Sequence, residues 1–309
     1  GRFPYYPISA GKLRRYFDLK NFSDPFRVIK GVFEAYTLLR KIRPQVVFSK
    51  GGFVTVPVTV AAWMLHIPVV LHESDLTPGL ANKLSMPFAK KLCFTFPESP
   101  RYIKDKLQDK VMVTGTPIRP ELTTGSKERG LSLCNFSDEH STLLVMGGSL
   151  GSVALNRVIR ENLTILTKDY QIIHLCGKGN LEPNINNPRY HQLEYAKDEL
   201  PDLLACADFV LSRAGANSIF ELVALAKPNI LVPLSRQASR GDQILNAQSF
   251  AKQGFSLVIQ EEELNIQALQ ENLMLLAQSE ARFIKAMEDS QLKDGTANIL
   301  RIIEEVTKK

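Results

Sequence analysis

Short apolar runs alternate with longer segments of helical period along nearly the whole chain. In the first third, residues 44–49, 67–71, 92–95 and 111–114 read as strands, with helices predicted at 56–66 and 79–90 between them. Ser23 or Asp24 can cap a further helix that has Pro25 at its first position and runs to about Arg43. A polar stretch without strong period, 120–140, is the expected interdomain crossing, and the pattern then restarts. Strands are predicted at 141–146, 170–176, 192–195, 208–211, 229–233 and 254–259. Helices are predicted at 153–166, 200–206, after Ser218, from Asp242, and over 264–308 with a break near Asp294 and Gly295. Strand, glycine or polar turn, helix, repeated, is the pattern of an α/β doubly wound parallel sheet, whose ligands sit beyond the carboxyl ends of the strands.

With 309 residues the chain can build two domains, and 44% hydrophobic and 23% charged residues are the proportions of a globular protein. The expected division is 1–122, 123–290, and a terminal helix in 291–309 that returns to the first domain. Cys93, Cys134, Cys176 and Cys206 are scattered, which suits buried thiols better than disulfides or a metal site. No apolar run reaches the length needed to span a bilayer. Net charge is +6, and the first 50 residues hold eleven lysines and arginines against three carboxylates. Lys12, Arg14 and Arg15 lie beside Tyr16 and Phe17, a mixture that suits an anionic membrane surface. It is equally the composition of a solvated helix face.

The candidate chemistry lies at strand ends. Gly147-Gly148-Ser149-Leu150-Gly151-Ser152 follows a strand and opens a helix, so its backbone N–H groups can cradle a phosphate. Neither a Walker A motif nor a GxGxxG spacing is present. Arg213-Ala214-Gly215-Ala216-Asn217-Ser218 makes a second such junction, with Glu221 placed to accept from a ribose diol. Asp242, Gln243 and Asn246 open the next helix and can serve hydroxyl-rich cargo. A plain βαβ unit would also use glycine merely to turn. In the first domain Phe53, the cluster His72-Glu73-Ser74-Asp75, and Asn82 with Lys83 fall at strand ends. Glu73 there can hold acceptor hydroxyls or act as a general base. No residue group has metal-ligand spacing, and no cofactor is expected.

The segments VVFSKGGFVTVPV, HESDLTPGLANK, VTGTPIR, LLVMGGSLGS, SRAGANSIFEL and GDQILNA occur together and in order. Over essentially its whole length the chain resembles the peptidoglycan N-acetylglucosaminyltransferase (MurG) family, glycosyltransferase family 28. The resemblance implies a GT-B fold, two Rossmann-like domains facing each other across a cleft. It also implies inverting transfer of N-acetylglucosamine from UDP-N-acetylglucosamine to the C4 hydroxyl of MurNAc in lipid I, giving lipid II. By position, Glu221 matches the ribose carboxylate, Ser149 the glycine-loop serine, and Arg119 and Arg213 arginines near the donor. Tyr195 and Ala196 fall where uracil is read, and Asp242, Gln243 and Asn246 where sugar hydroxyls are held. Gly148, Gly215, Ala216 and Asn217 complete the donor loops; Glu73, Asp75, Asn82 and Lys83 match the acceptor motif. Glu73 and Arg119 are the catalytic candidates. Segment 11–30 and Trp63 correspond to a surface against the anionic inner leaflet, on the cytoplasmic side of the plasma membrane; no nucleic acid is implied. The family's first strand and GGTxGH loop, whose histidine is a candidate base, have no counterpart here, so about 50 residues are expected to be missing. A sugar-nucleotide epimerase on the same scaffold, or a donor-binding fragment with little activity, are the alternatives.

Overall fold

A computed structural model describes residues 3–11, 20–236, 239–292 and 294–308. The chain forms two compact units, one of residues 1–117 and 295–309, the other of residues 118–294. The first crossing therefore precedes the polar stretch 120–140, which carries a helix of the second unit.

In the first unit, α1 (Lys20–Ile42), β1 (Val47–Ser49), α2 (Thr55–Met64), β2 (Val69–Glu73), α3 (Leu80–Ser85), β3 (Lys91–Phe94) and β4 (Val111–Val113) follow in order. The four strands pair in parallel in the order β1-β2-β3-β4. Continuous apolar runs appear here because β2 and β3 are buried on both faces. Val69 and Leu71 of β2, with Leu92 and Phe94 of β3, pack with Ala35 and Leu39 of α1 and Ala61 and Ala62 of α2. The intervening Val70 and Cys93 point the other way, as strand alternation requires. Helix α1 begins at Lys20, ahead of the cap predicted at Ser23 or Asp24. The helix predicted at 79–90 stops at Ser85, where Pro87 draws Met86–Phe88 into a 3-10 turn.

The second unit contains α4 (Lys127–Cys134), β5 (Ser141–Met146), α5 (Val153–Glu161), α6 (Leu163–Leu166), β6 (Tyr170–Leu175), β7 (Tyr190–Leu193) and α7 (Leu200–Cys206). It continues with β8 (Phe209–Ser212), α8 (Ala216–Ala224), β9 (Asn229–Leu231), α9 (Asp242–Lys252), β10 (Leu257–Val258), α10 (Ile266–Gln278) and α11 (Glu280–Glu288). Its six strands are all parallel, in the order β10-β9-β8-β5-β6-β7. Strand order reverses between β5 and β8, so the loops leaving these two strands flank the switch point. Strand β7 lies two residues earlier than predicted, and only two residues of the predicted strand 254–259 pair. The last helix, α12 (Thr296–Thr307), belongs to the first unit and lays Ile302 and Val306 on Val70 and Cys93.

Each unit buries a neutral histidine in its sheet. Burial lowers the His72 pKa to about 4, its Nε2 lying 2.9 Å from the Gly115 carbonyl. Burial likewise lowers that of His174 to about 3. Its Nδ1 faces the Tyr190 hydroxyl at 2.8 Å and its Nε2 the Asn156 Oδ1 at 3.0 Å. An unfolded histidine takes its proton near pH 6.5, whereas these folded ones refuse it until about 4 and 3. Stability is therefore lost as pH falls below about 6.5, by about 2 kcal/mol per histidine at pH 5. Melting temperature is expected to fall less steeply between pH 7.5 and 5 in His174→Gln than in wild type; an equal slope would refute this origin.

Candidate functional site

A cleft of about 480 Å³ opens at the switch point of the six-stranded sheet. Its floor is the loop Gly147–Gly151 after β5, and its sides are the Arg213–Gly215 turn, the Glu194–Ala196 segment after β7, and Leu234 with Gln243. Glycine is demanded where two loops cross. Gly151 (φ 77°) and Gly177 (φ 91°) lie back to back; a Cβ on Gly151 would stand 2.0 Å from the Cys176 carbonyl oxygen, and one on Gly177 2.3 Å from the Gly151 nitrogen. Ser152 ends the loop as N-cap of α5, its hydroxyl accepting from Leu155 N at 3.3 Å. The free N–H groups of that helix start are thus presented beside exposed Gly148 and Ser149.

Glu221 reaches the cleft from one turn into α8, on the same side as Gly215 and Ser218. Both its oxygens are engaged by Arg119, Oε1 by Nε at 2.8 Å and Oε2 by Nη2 at 3.0 Å. This bidentate geometry orients the carboxylate and leaves its other lone pairs open. The contact with Glu221 also raises the Arg119 pKa, so the guanidinium stays charged. Tyr195 lies across the cleft, largely exposed, beside buried Ala196.

Other sequence-predicted residues are placed differently. Ala216 and Asn217 begin α8 off the cleft-facing side, the first buried and the second exposed, and Ser218 lines the cleft instead. Arg213 lines the wall, but its guanidinium is committed to protein partners: the Val232 carbonyl at 3.1 Å, the Ser152 hydroxyl at 2.6 Å, and the Glu261 carboxylate. Asn246 is fully buried beneath the turn and donates to the Ala214 carbonyl at 3.2 Å. Asp242 pairs with Arg240 at 3.2 Å and is not part of the cleft lining. Gln243 does line it, while its Oε1 accepts from Leu234 N at 3.1 Å. Leu234 and Glu194 are not singled out by the sequence, and Ser218 is named there only as part of its turn. The signal for Ser218 as a lining residue is its position three residues after Gly215 and three before Glu221.

In the first unit, Glu73 ends β2 and is buried. It accepts from Asp75 N at 3.1 Å, Gly79 N at 2.9 Å and Asn82 Nδ2 at 2.8 Å. Burial raises its pKa against these hydrogen bonds. Glu73 thus pins the loop into α3; its oxygens are not presented as a free base. Asn82 is buried with its Oδ1 unpartnered among the described residues, Lys83 is exposed, and Phe53 and Asp75 are half-buried. Among the described residues, no group of three or more His, Cys, Asp or Glu side chains could hold a metal ion. Lys12, Arg14, Arg15, Tyr16 and Phe17 lie outside the described residues; Trp63 is exposed at the end of α2.

The glycosyltransferase family 28 C-terminal domain matches residues 142–302, and the family 28 N-terminal domain residues 2–94. A relative from Clostridium tetani is 56% identical over 97% of this chain and 83% of its own length; one from Clostridium perfringens (strain SM101) is 57% identical over 97% and 84%. Both are named UDP-N-acetylglucosamine--N-acetylmuramyl-(pentapeptide) pyrophosphoryl-undecaprenol N-acetylglucosamine transferase. Among solved structures, MurG of Acinetobacter baumannii superposes with a TM-score of 0.67 at 23% identity, over 93% of this chain and 80% of that one, which establishes the shared fold. The chain belongs to glycosyltransferase family 28.

Proposed function

We propose that the chain transfers N-acetylglucosamine from UDP-N-acetylglucosamine to the C4 hydroxyl of MurNAc in lipid I, producing lipid II with inversion at the anomeric carbon. The observation that carries the reading is the switch-point cleft, where a glycine loop, a helix start and an arginine-held carboxylate meet. The diphosphate is assigned to the glycine loop at Gly148, Ser149 and Leu150 and to the start of α5, where the helix dipole favours anions; Gly151 N closes the loop by donating to the Gly148 carbonyl at 2.9 Å. Glu221, oriented by Arg119, accepts from the ribose diol, and uracil lies by Tyr195 and Ala196. Departure of UDP leaves charge on the β-phosphate, and fixed N–H donors with the Arg119 cation stabilise it without reorganising. The acceptor is assigned to the first unit, to Asp75 and Lys83 at the loop pinned by Glu73 and to Phe53 after β1; Glu73 and buried Asn82 act there as positioning groups. Incubation with UDP-N-acetylglucosamine and a lipid I analogue should release UDP and form the disaccharide. Formation of an epimer from the sugar nucleotide alone would favour the epimerase reading instead.

The acceptor's lipid requires a membrane surface, and no helix among the described residues is long and apolar enough to cross one. Peripheral attachment to an anionic leaflet, on the cytoplasmic side, is the reading supported by an exposed stripe on α1. Phe26, Ile29 and Phe33 are 73%, 54% and 67% exposed, at helical spacing, with Arg27 and Lys30 among them. Trp63 and Met64 expose more apolar surface on the same unit. Serine at all three α1 positions is expected to weaken binding to phosphatidylglycerol vesicles at least about tenfold, read by sedimentation. Undiminished sedimentation would place the contact elsewhere.

A further inference from the structure

One guanidinium in the second unit ties together three segments that are remote in sequence. Arg213 follows β8 with its side chain only 10% exposed. Nη1 donates to the Val232 and Pro233 carbonyls at 3.1 and 3.4 Å, at the end of β9. Nη2 donates to the Ser152 hydroxyl at 2.6 Å and to the carboxylate of Glu261. The second oxygen of Glu261 accepts from Ser235 N at 3.0 Å. Ser152 closes the glycine loop and caps α5, and Leu234, adjacent to Ser235, lines the cleft. The glycine loop and the 233–235 loop are therefore held at a fixed separation by an arginine whose charge is answered by Glu261. Burial works to raise the Glu261 pKa, but the Arg213 and Ser235 hydrogen bonds prevail and lower it, so the pair stays ionic. A buried arginine without that carboxylate would be an uncompensated charge and would draw in water or move.

We infer that Glu261, which does not line the cleft, is a positioning residue for the nucleoside diphosphate, setting through Arg213 and Ser152 the spacing of the two loops that receive it. This rests on the assignment of the cleft as the donor site. Removing the negative charge frees Arg213 to shift and lets the α5 start and the 233–235 loop drift apart. The loss falls on donor binding and not on the acceptor.

The test is UDP binding by isothermal titration to wild type, Glu261→Gln, Ser152→Ala and the double variant, with melting temperatures alongside. Glu261→Gln is expected to bind UDP about tenfold more weakly, the size of coupling such networks carry. In turnover it raises KM for UDP-N-acetylglucosamine by a similar factor and leaves KM for the lipid acceptor unchanged. The double variant loses less than the sum of the two singles, because part of the Ser152 effect, beyond its cap on α5, runs through Arg213. Glu261→Asp, which keeps the charge on a shorter arm, recovers part of the affinity and guards against a variant that does not fold. If wild type binds UDP and a folded Glu261→Gln binds it equally well, or if the two single losses add, the inference is overturned. If wild type binds no UDP, the donor assignment falls first and this inference with it.

Discussion

Replacing Glu221 by alanine is expected to weaken UDP binding about 30-fold, the scale of hydrogen bonds to a charged acceptor lost from a half-shielded site. The change removes the acceptor for the ribose diol and also the partner that holds Arg119. Arg119 has a side chain 49% exposed, so water can recover its charge and the fold should be little affected. Wild type should bind 2′-deoxy-UDP more weakly than UDP, and Glu221→Ala should bind the two alike. Discrimination that survives the mutation would move the ribose away from this carboxylate. Arg119→Ala should also weaken UDP binding, because it removes the cation assigned to the diphosphate and leaves the Glu221 carboxylate unoriented, but it should keep part of the discrimination against 2′-deoxy-UDP.

The larger structural effect is expected at Gly151. Alanine there combines a left-handed φ of 77° with a Cβ 2.0 Å from a backbone carbonyl that no rotamer change can move. The cost should reach about 3 kcal/mol or more, corresponding to a melting temperature lower by at least about 6 °C for a domain of this size. UDP binding should disappear with it, since relief of the clash displaces the loop. Gly148 supplies the control: its φ is 87°, yet an added Cβ meets nothing within 4 Å. Gly148→Ala should therefore show only the backbone penalty of about 1 to 2 kcal/mol. Equal melting temperatures for the two variants would discard the crowding argument.

Much of this was readable in the chain because its signals are local. A strand, a glycine that can take positive φ, and a helix start lie within the thirteen residues 141–153, and Glu221 follows its turn by a single helical repeat. The apolar runs of β2 and β3 are continuous because helices cover both faces, and the sequence shows that burial directly. What stayed hidden depends on partners distant in sequence. Nothing near Arg119 announces Glu221, 102 residues away. Arg213 has the composition of a ligand contact, yet it is spent on Ser152 and Glu261. Glu261 itself begins a run of three glutamates that reads as solvated surface. Asn246 shares a helix face with Gln243, but one turn further in that face is already packed under the Ala214 turn. Periodicity gives the side of a helix and not the depth at which its neighbours begin.

Because α12 covers one face of the first unit's sheet, that unit is interrupted in the chain by the whole of the second. The crossings are adjacent in space, Gly295 N donating to the Thr116 carbonyl at 2.8 Å and Asn298 to the Thr114 carbonyl at 3.2 Å. During synthesis, residues 118–294 leave the ribosome as a continuous segment and can fold as they emerge. Val70 and Cys93 must wait, uncovered, until Ile302 and Val306 have been made. The first unit, though its strands are made before the second unit, is thus the last to close.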